Sequence, residues 1–122
     1  MYLLELTLQG LPKMTNANSG NWRMRQREAH KWQRMVIDQI VIQRCLRPAE
    51  PLKQAVITLT RHSSKMPDYD GLVSGCKHII DGLKMSNIII DDNMLVVGQP
   101  VYRWQSCSPK EGKMHVRVQE IG

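Results

Sequence analysis

Four aspartates form two close pairs in the second half of this chain. Asp68 and Asp70 are separated by one residue, and Asp91 and Asp92 are adjacent. Magnesium prefers oxygen ligands and is usually held by one or two carboxylates together with water and substrate phosphate. The two pairs therefore predict a Mg²⁺ site, with Mn²⁺ as a substitute, provided that the fold brings them together. A metal held there can activate water for in-line attack on phosphorus, which is the chemistry of phosphodiester hydrolysis.

A lysine accompanies the first pair. Lys77 lies seven residues after Asp70, about two helical turns, so on a helix both would share nearly the same face. Its ammonium group is a candidate for stabilising transition-state charge. Each residue also has an ordinary structural role, because Asp70 can cap a helix, Asp91 and Asp92 can form a turn, and an isolated lysine is usually solvated. Their combination in a basic chain is what favours catalysis.

Other chemistries find no matching pattern. A calcium loop of the EF-hand type that began at the first aspartate pair would have Leu72 and Ile79 at two ligand positions, which excludes that motif. The four histidines have no zinc-like spacing. The three cysteines, Cys45, Cys76 and Cys107, are far apart and odd in number. They predict reduced thiols and hence a cytoplasmic protein.

Charge is unevenly distributed along the chain. The net charge is +6, yet five of the eleven acidic residues lie between residues 68 and 92. A basic cluster occupies the segment 21–34 and consists of Arg23, Arg25, Arg27, Lys31 and Arg34. Such a cluster predicts contacts with the phosphates of DNA, since neutralising them releases counterions. The charge alone leaves open a basic interaction protein with no role in nucleic-acid binding.

Periodicity predicts the elements that would position these residues. Alternating segments predict strands at 2–8, 54–61, 101–106 and 113–121, and apolar steps of three and four predict helices at 21–46 and 71–85. The order β-α-β-α-β-β predicts one small α/β (α+β) domain, residues 1–122, with a mixed four-stranded sheet and two main helices. A turn with Pro109 and Gly112 suggests that the last two strands form a hairpin. Residues 88–90 are the segment that would return the chain so that the aspartate pairs meet.

The first predicted helix also carries two tryptophans. Trp22 and Trp32 both fall on its apolar face, which predicts core positions for both. Stacking on an exposed base is the alternative role. The segment before this helix, residues 9–20, is rich in Asn, Ser and Gly and is predicted to be a loop. No apolar run approaches the roughly 20 residues of a membrane span, so none is expected.

The pattern around the aspartates extends beyond the pairs. It reads Asp68-Tyr-Asp70-Gly-Leu-Val-Ser-Gly-Cys-Lys77-His-Ile-Ile-Asp81-Gly-Leu, followed by Asn87-Ile-Ile-Ile-Asp91-Asp92. It resembles the RusA family of Holliday junction resolvases, which is common in prophages. In that family an Asp-x-Asp-Asn-Leu motif, a Lys followed four residues later by Asp, a Gly-Leu or Ala-Leu helix end and an Asp-Asp pair make the active site. Here Gly71 replaces the Asn, and about three extra residues precede Lys77, a rotation of about 300° on a helix.

The resemblance implies a specific activity. It implies a homodimer that resolves four-way DNA junctions by metal-dependent cleavage during recombination and repair. Asp68, Asp70 and Asp92 would be the catalytic metal ligands, with Asp91 beside them and Lys77 assisting. The basic helix start would contact the DNA. The alternative is a non-catalytic DNA-binding module of the same fold, in which the carboxylates only cap helices and close turns.

Overall fold

The computed structural model describes residues 1–13 and 22–121. In chain order its helices and strands are β1 (Leu3–Gln9), α1 (Trp22–Ile42), β2 (Ala55–Ser63), α2 (Tyr69–Met85), α3 (Met94–Val97), β3 (Val101–Ser106) and β4 (Lys113–Glu120). This order confirms the predicted β-α-β-α-β-β arrangement and adds the short α3. Most of the predicted 9–20 loop, residues 14–20, lies outside the described residues. No helix of the described part is long and apolar enough to cross a membrane.

The four strands form one mixed sheet in the order β1-β4-β2-β3. Strand β4 is antiparallel to both β1 and β2, whereas β3 is parallel to β2. The prediction of a mixed sheet is confirmed, but the predicted C-terminal hairpin is wrong. Alternate residues of β4 are fully buried, as befits a central strand, while β3 is largely exposed at the edge. The turn after β3 reverses the chain without pairing the strands it joins.

The core lies between one face of the sheet and the two long helices. Alternate residues of β1, β2 and β4 face the helices. Helix α1 contributes Trp32, Val36 and Ile40. Trp32 is 1% exposed, which confirms its predicted core position, but Trp22 is 60% exposed. The core prediction for Trp22 is wrong because this residue begins α1, before the buried stripe of the helix.

Helix α1 ends earlier than predicted. Arg44 adopts a left-handed backbone with φ of 56°. The backbone N–H of Cys45 donates to the carbonyl of Ile40 at 2.9 Å, and that of Arg44 donates to Val41 at 3.1 Å. This Schellman closure ends the helix at Ile42, four residues before the predicted end at residue 46.

Helix α2 begins two residues earlier than predicted. Its N-cap is Asp68, whose carboxylate accepts a hydrogen bond from the backbone N–H of Gly71 at 3.2 Å. The prediction that Asp70 caps this helix is therefore wrong, because Asp70 lies inside the first turn. At the other end, Asn87 has a φ of 60° and ends the helix as αL residues commonly do.

Candidate functional site

One face of α2 is polar along its whole length, whereas the buried residues of the helix occupy the other side. This polar stripe consists of Asp70, Ser74, Lys77, Asp81 and Lys84. Residues at three- and four-residue steps lie on one helical face. The sequence therefore places the predicted carboxylate and lysine in line, as the spacing between Asp70 and Lys77 indicated.

The first aspartate pair lies at the start of this stripe. Asp68 is exposed and its carboxylate is engaged as the N-cap of α2. Asp70 is also exposed, and no hydrogen bond or ion pair of Asp70 is found within the described part of the chain. A carboxylate in the first turn is favoured by the partial positive charge of the helix N-terminus. Asp70 is thus held in place by the helix and remains available to a ligand.

The second pair follows a short segment that runs beside the start of β2. The N–H of Leu52 donates to the carbonyl of Ile88 at 2.9 Å, and the N–H of Ile90 donates to the carbonyl of Leu52 at 3.0 Å. Residues 88–90 therefore do return along the domain after α2. They deliver Asp91 and Asp92 to the second half of the polar stripe rather than to its first turn.

Asp91 is occupied by neighbouring groups. It accepts hydrogen bonds from the backbone N–H of Asp92 at 2.8 Å and from the side-chain amide of Asn93 at 3.0 Å. Its carboxylate also lies 3.0 Å from the ammonium of Lys84. The hydrogen bond from Lys84, with that from the Asp92 backbone, lowers the pKa of Asp91 to about 2. Asp91 therefore organises the turn and stays ionised.

Asp92 interacts with the carboxyl group of Asp81. Partial burial of Asp81 and its side-chain hydrogen bond with Asp92 together raise the pKa of Asp81. Lys84 lies 3.9 Å from Asp92. Two carboxyl groups in contact repel unless a proton or a cation lies between them. The Asp81–Asp92 contact is thus a place where positive charge is favoured.

A cleft of about 330 Å³ opens beside this contact, and Ser74, Lys77 and Asp92 contribute its polar lining. Val97, Pro100 and Tyr102 are among its apolar and aromatic lining residues. The cleft therefore joins the middle of the polar stripe to the second aspartate pair. It brings together two of the residues predicted to act in catalysis, Lys77 and Asp92.

The two predicted aspartate pairs remain apart. Asp68 and Asp70 lie at the start of α2, whereas Asp91 and Asp92 interact with Lys84 and Asp81 in its second half. Residues 1–13 and 22–121 contain no group of three or more His, Cys, Asp or Glu side chains arranged to hold a metal ion. On the stripe, Asp70 precedes Lys77 by about 10 Å along the helix axis. The carboxylates have the right chemistry for Mg²⁺, but one pair lies at the first turn of α2 and the other lies beside its second half.

Two residues of the site had no role in the sequence-based prediction. Asp81 appeared only within the motif, and Tyr102 only within a strand. Asp81 could have been found as a carboxylate four residues after Lys77, on the same helical face. Tyr102 carried no such signal, because its place in the cleft depends on the parallel pairing of β3 with β2.

A basic surface lies on α1. All five residues of the predicted DNA-binding cluster, Arg23, Arg25, Arg27, Lys31 and Arg34, are exposed. Four of them, all except Arg25, fall within an arc of about 80° on the side of the helix opposite its buried stripe. We call these four the basic face of α1. Arg34 is paired with Asp38 at 3.2 Å, and Arg23 lies over the exposed ring of Trp22 at 5.8 Å.

No model of a known protein family matches this chain, and no curated protein matches it either.

Proposed function

We propose that this chain is a metal-dependent endonuclease that hydrolyses phosphodiester bonds at four-way DNA junctions. The observation that carries the proposal is the cleft in which Lys77 and Asp92 meet, on a polar stripe that begins at Asp70. The resemblance of the motif to the RusA family and the basic face of α1 support the same activity. A strand laid along the stripe would meet the cleft and Asp70 at different phosphates.

The carboxylates would hold the divalent metal. Asp70 would offer oxygen donors at the first turn of α2, with Asp68 beside it as the helix cap, and Asp92 would offer them beside the second half of the helix, with Asp91 holding the turn. Such donors suit Mg²⁺ and also Mn²⁺. Bound metal supplies an activated water and neutralises charge on the phosphate.

The protein's own side chains would bind and orient the DNA. The exposed ammonium of Lys77 lies where it can donate hydrogen bonds to phosphate oxygens as negative charge develops. The basic face of α1 would hold duplex phosphates without reading sequence. A four-way junction has approximate two-fold symmetry, so a C2 homodimer would present one site to each of two symmetry-related strands.

Cleavage of a labelled synthetic junction tests this function. The substrate is compared with a linear duplex of the same sequence, first in Mg²⁺ and then in Mn²⁺. We expect paired symmetric nicks in the junction, which disappear in Asp70→Asn. Glu50→Gln is the control, because it removes one negative charge from an exposed position outside α1, α2 and the cleft. If Asp70→Asn cut the junction at the wild-type rate in saturating Mg²⁺, this mechanism would be wrong.

A second candidate is a DNA-binding module without catalysis. Two observations favour it, since Asp68 serves as a helix cap and Asp91 closes a turn with Asn93. This candidate predicts junction binding that weakens as salt rises. It also predicts no product in Mg²⁺ or Mn²⁺. The cleavage experiment therefore separates the two functions.

A further inference from the structure

The lining of the cleft beside Lys77 and Asp92 is of two chemical kinds. Its polar lining residues are Ser74, Lys77 and Asp92, and most of the others, among them Val97, Pro100 and Tyr102, are apolar or aromatic. Its volume, about 330 Å³, is near the lower end of the range of about 300–1,000 Å³ seen for ligand pockets. A phosphate requires only the polar residues. The apolar and aromatic lining therefore calls for a second part of the ligand.

One wall is built by Tyr102, which is partly buried. The Tyr69 ring packs edge-on against it, with centroids 6.1 Å apart and planes 86° apart. Tyr69 lies between Asp68 and Asp70, so this contact ties the wall to the start of the polar stripe. This contact and its partial burial favour one orientation of the Tyr102 ring.

Another part of the lining comes from α3. Asn93 caps this short helix by accepting from the N–H groups of Leu95 and Val96 at 3.0 and 3.1 Å. Val97 is only 5% exposed, whereas Met94 is 79% exposed, and both line the cleft. Burial of Val97 therefore anchors the wall, and Met94 is left as an adaptable apolar side chain.

We propose that this cleft receives an unstacked nucleobase whose own phosphate lies at Lys77. A cationic side chain together with aromatic and apolar lining matches the two parts of a nucleotide. Bases that are already unpaired or at a distortion are the least costly to extrude, and the bases at a branch point meet this condition. This inference rests on the proposed function, and it names the part of the junction that the site recognises.

Binding to junctions that lack one base tests the proposal. An abasic residue replaces, in turn, each nucleotide that flanks the branch point, and Kd is measured by fluorescence anisotropy without divalent metal. At one position we expect the wild-type protein to lose affinity by about tenfold, as for loss of a base stacked on an aromatic ring. In Tyr102→Ala and in Met94→Ala the abasic penalty at that position should be much reduced, as in a double-mutant cycle.

Two variants serve as controls. Leu95→Ala removes an 83% exposed side chain of α3 that does not line the cleft, so the wild-type abasic penalty should remain. Tyr102→Phe keeps the ring and should also retain the penalty. If Tyr102→Ala proves unfolded by circular dichroism, Met94→Ala decides the outcome, because its side chain is exposed.

The proposal is overturned if no abasic position weakens wild-type binding, or if the full penalty survives in a folded Tyr102→Ala or in Met94→Ala. Cleavage of the same junctions in Mg²⁺ is measured in parallel. If the protein never cuts but the abasic penalty depends on Tyr102 and Met94, the endonuclease is excluded and the base site stands. If the protein cuts but neither variant changes the abasic penalty, only the base site is excluded.

Discussion

At the scale of single residues, the two members of the second aspartate pair have different surroundings. Asp91 accepts from two N–H groups and pairs with Lys84, so its oxygens are already used within the turn. Asp92 instead contacts the carboxyl group of Asp81 and lines the cleft. Asp92 is therefore the member that can face a ligand, and Asp91 holds it there.

Lys77 should matter for the rate of the proposed reaction more than for binding. Lys77→Gln keeps much of the length of the side chain but removes its positive charge. We expect the single-turnover rate of junction cleavage to fall by about a hundredfold, the typical loss when one transition-state donor is removed, with a much smaller loss of affinity. Lys53→Gln, at an exposed position two residues before β2, is the control. A loss of affinity equal to the loss of rate would instead make Lys77 a general phosphate contact.

Glu28 should contribute stability that depends on pH. Burial raises its pKa, but hydrogen bonds from the Lys13 backbone and the Trp32 indole outweigh it, and the net pKa is lowered from 4.5. A lowered folded-state pKa gives stability that is present above the unfolded pKa and is lost as pH falls through the folded value. Glu28→Gln should therefore lower Tm at pH 7, with a smaller deficit against wild type at pH 3.

Thermal melts at the two pH values check this prediction for Glu28. Glu50→Gln, on an exposed loop, provides the control for loss of a negative charge. A deficit of Glu28→Gln that persisted unchanged at pH 3 would mean that shape, rather than charge, stabilises the link between Lys13 and α1.

At the scale of elements, local pattern accounts for what sequence could predict. Each of the six predicted elements exists, because strand alternation and helical stripes record which side chains are buried. The pairing of β4 with β1 and β2 was not predicted, since it depends on contacts far apart in sequence. The choice of Asp68 over Asp70 as the cap was missed for a different reason. Both are good caps, and one hydrogen bond to Gly71 distinguishes them.

The candidate site divides in the same way. The line from Asp70 to Lys77 follows from helical spacing alone, and the spacing also places Asp81 on that line. The cleft could not be predicted, because residues of α3 and of the edge strand β3 line it together with residues of α2. Local sequence pattern does not indicate that these elements meet. The two aspartate pairs do not meet, because Asp68 and Asp70 lie at the start of the long helix α2. The segment that follows α2 pairs with Leu52 and leaves Asp91 beside Lys84, near the other end of the helix.

The contact between α1 and α2 should depend on the absence of a side chain at Gly82. A Cβ built there would lie 2.8 Å from Val36 Cβ and 3.2 Å from the backbone of Gln33. Overpacking of this kind costs about 1–3 kcal/mol, whereas Ala gains about 1 kcal/mol of helix propensity over Gly. We expect Gly82→Ala to lower the free energy of unfolding, as measured by urea denaturation.

Gly75→Ala is the matched control for Gly82→Ala in the same helix. Its added Cβ would meet Pro12 at 3.4 Å, an ordinary contact, so the gain in helix propensity should leave this variant at least as stable as wild type. Equal stability of the two variants would show that α1 and α2 can separate at little cost.

At the scale of the whole molecule, positive charge lies on two opposite surfaces. The basic face of α1 is on the side of the sheet that carries the helices, as are the polar stripe and the cleft. The open face of the sheet carries Arg103, Lys113 and Arg117. A net charge of +6 therefore says nothing about which surface binds DNA. On the proposed function, the side with the cleft must do so.

The salt dependence of junction binding distinguishes the two surfaces. Each protein–phosphate contact contributes about 0.9 to the negative slope of log K against log salt for duplex DNA. Replacing Arg23, Arg27 and Lys31 by alanine should therefore reduce the slope by about three and weaken binding most at low salt. The measurement is a set of Kd values for a metal-free junction over a range of salt concentrations.

The matched control removes the same number of charges from the open face of the sheet, by alanine at Arg103, Lys113 and Arg117. This variant should keep the wild-type slope, because DNA seated at the cleft lies on the other side of the sheet. Long-range effects of the lost charge are largely screened beyond a Debye length of about 8 Å at physiological salt. Equal losses of slope in both variants would mean that DNA binds over the whole surface, and would remove the support that the basic face gives to a directed junction site.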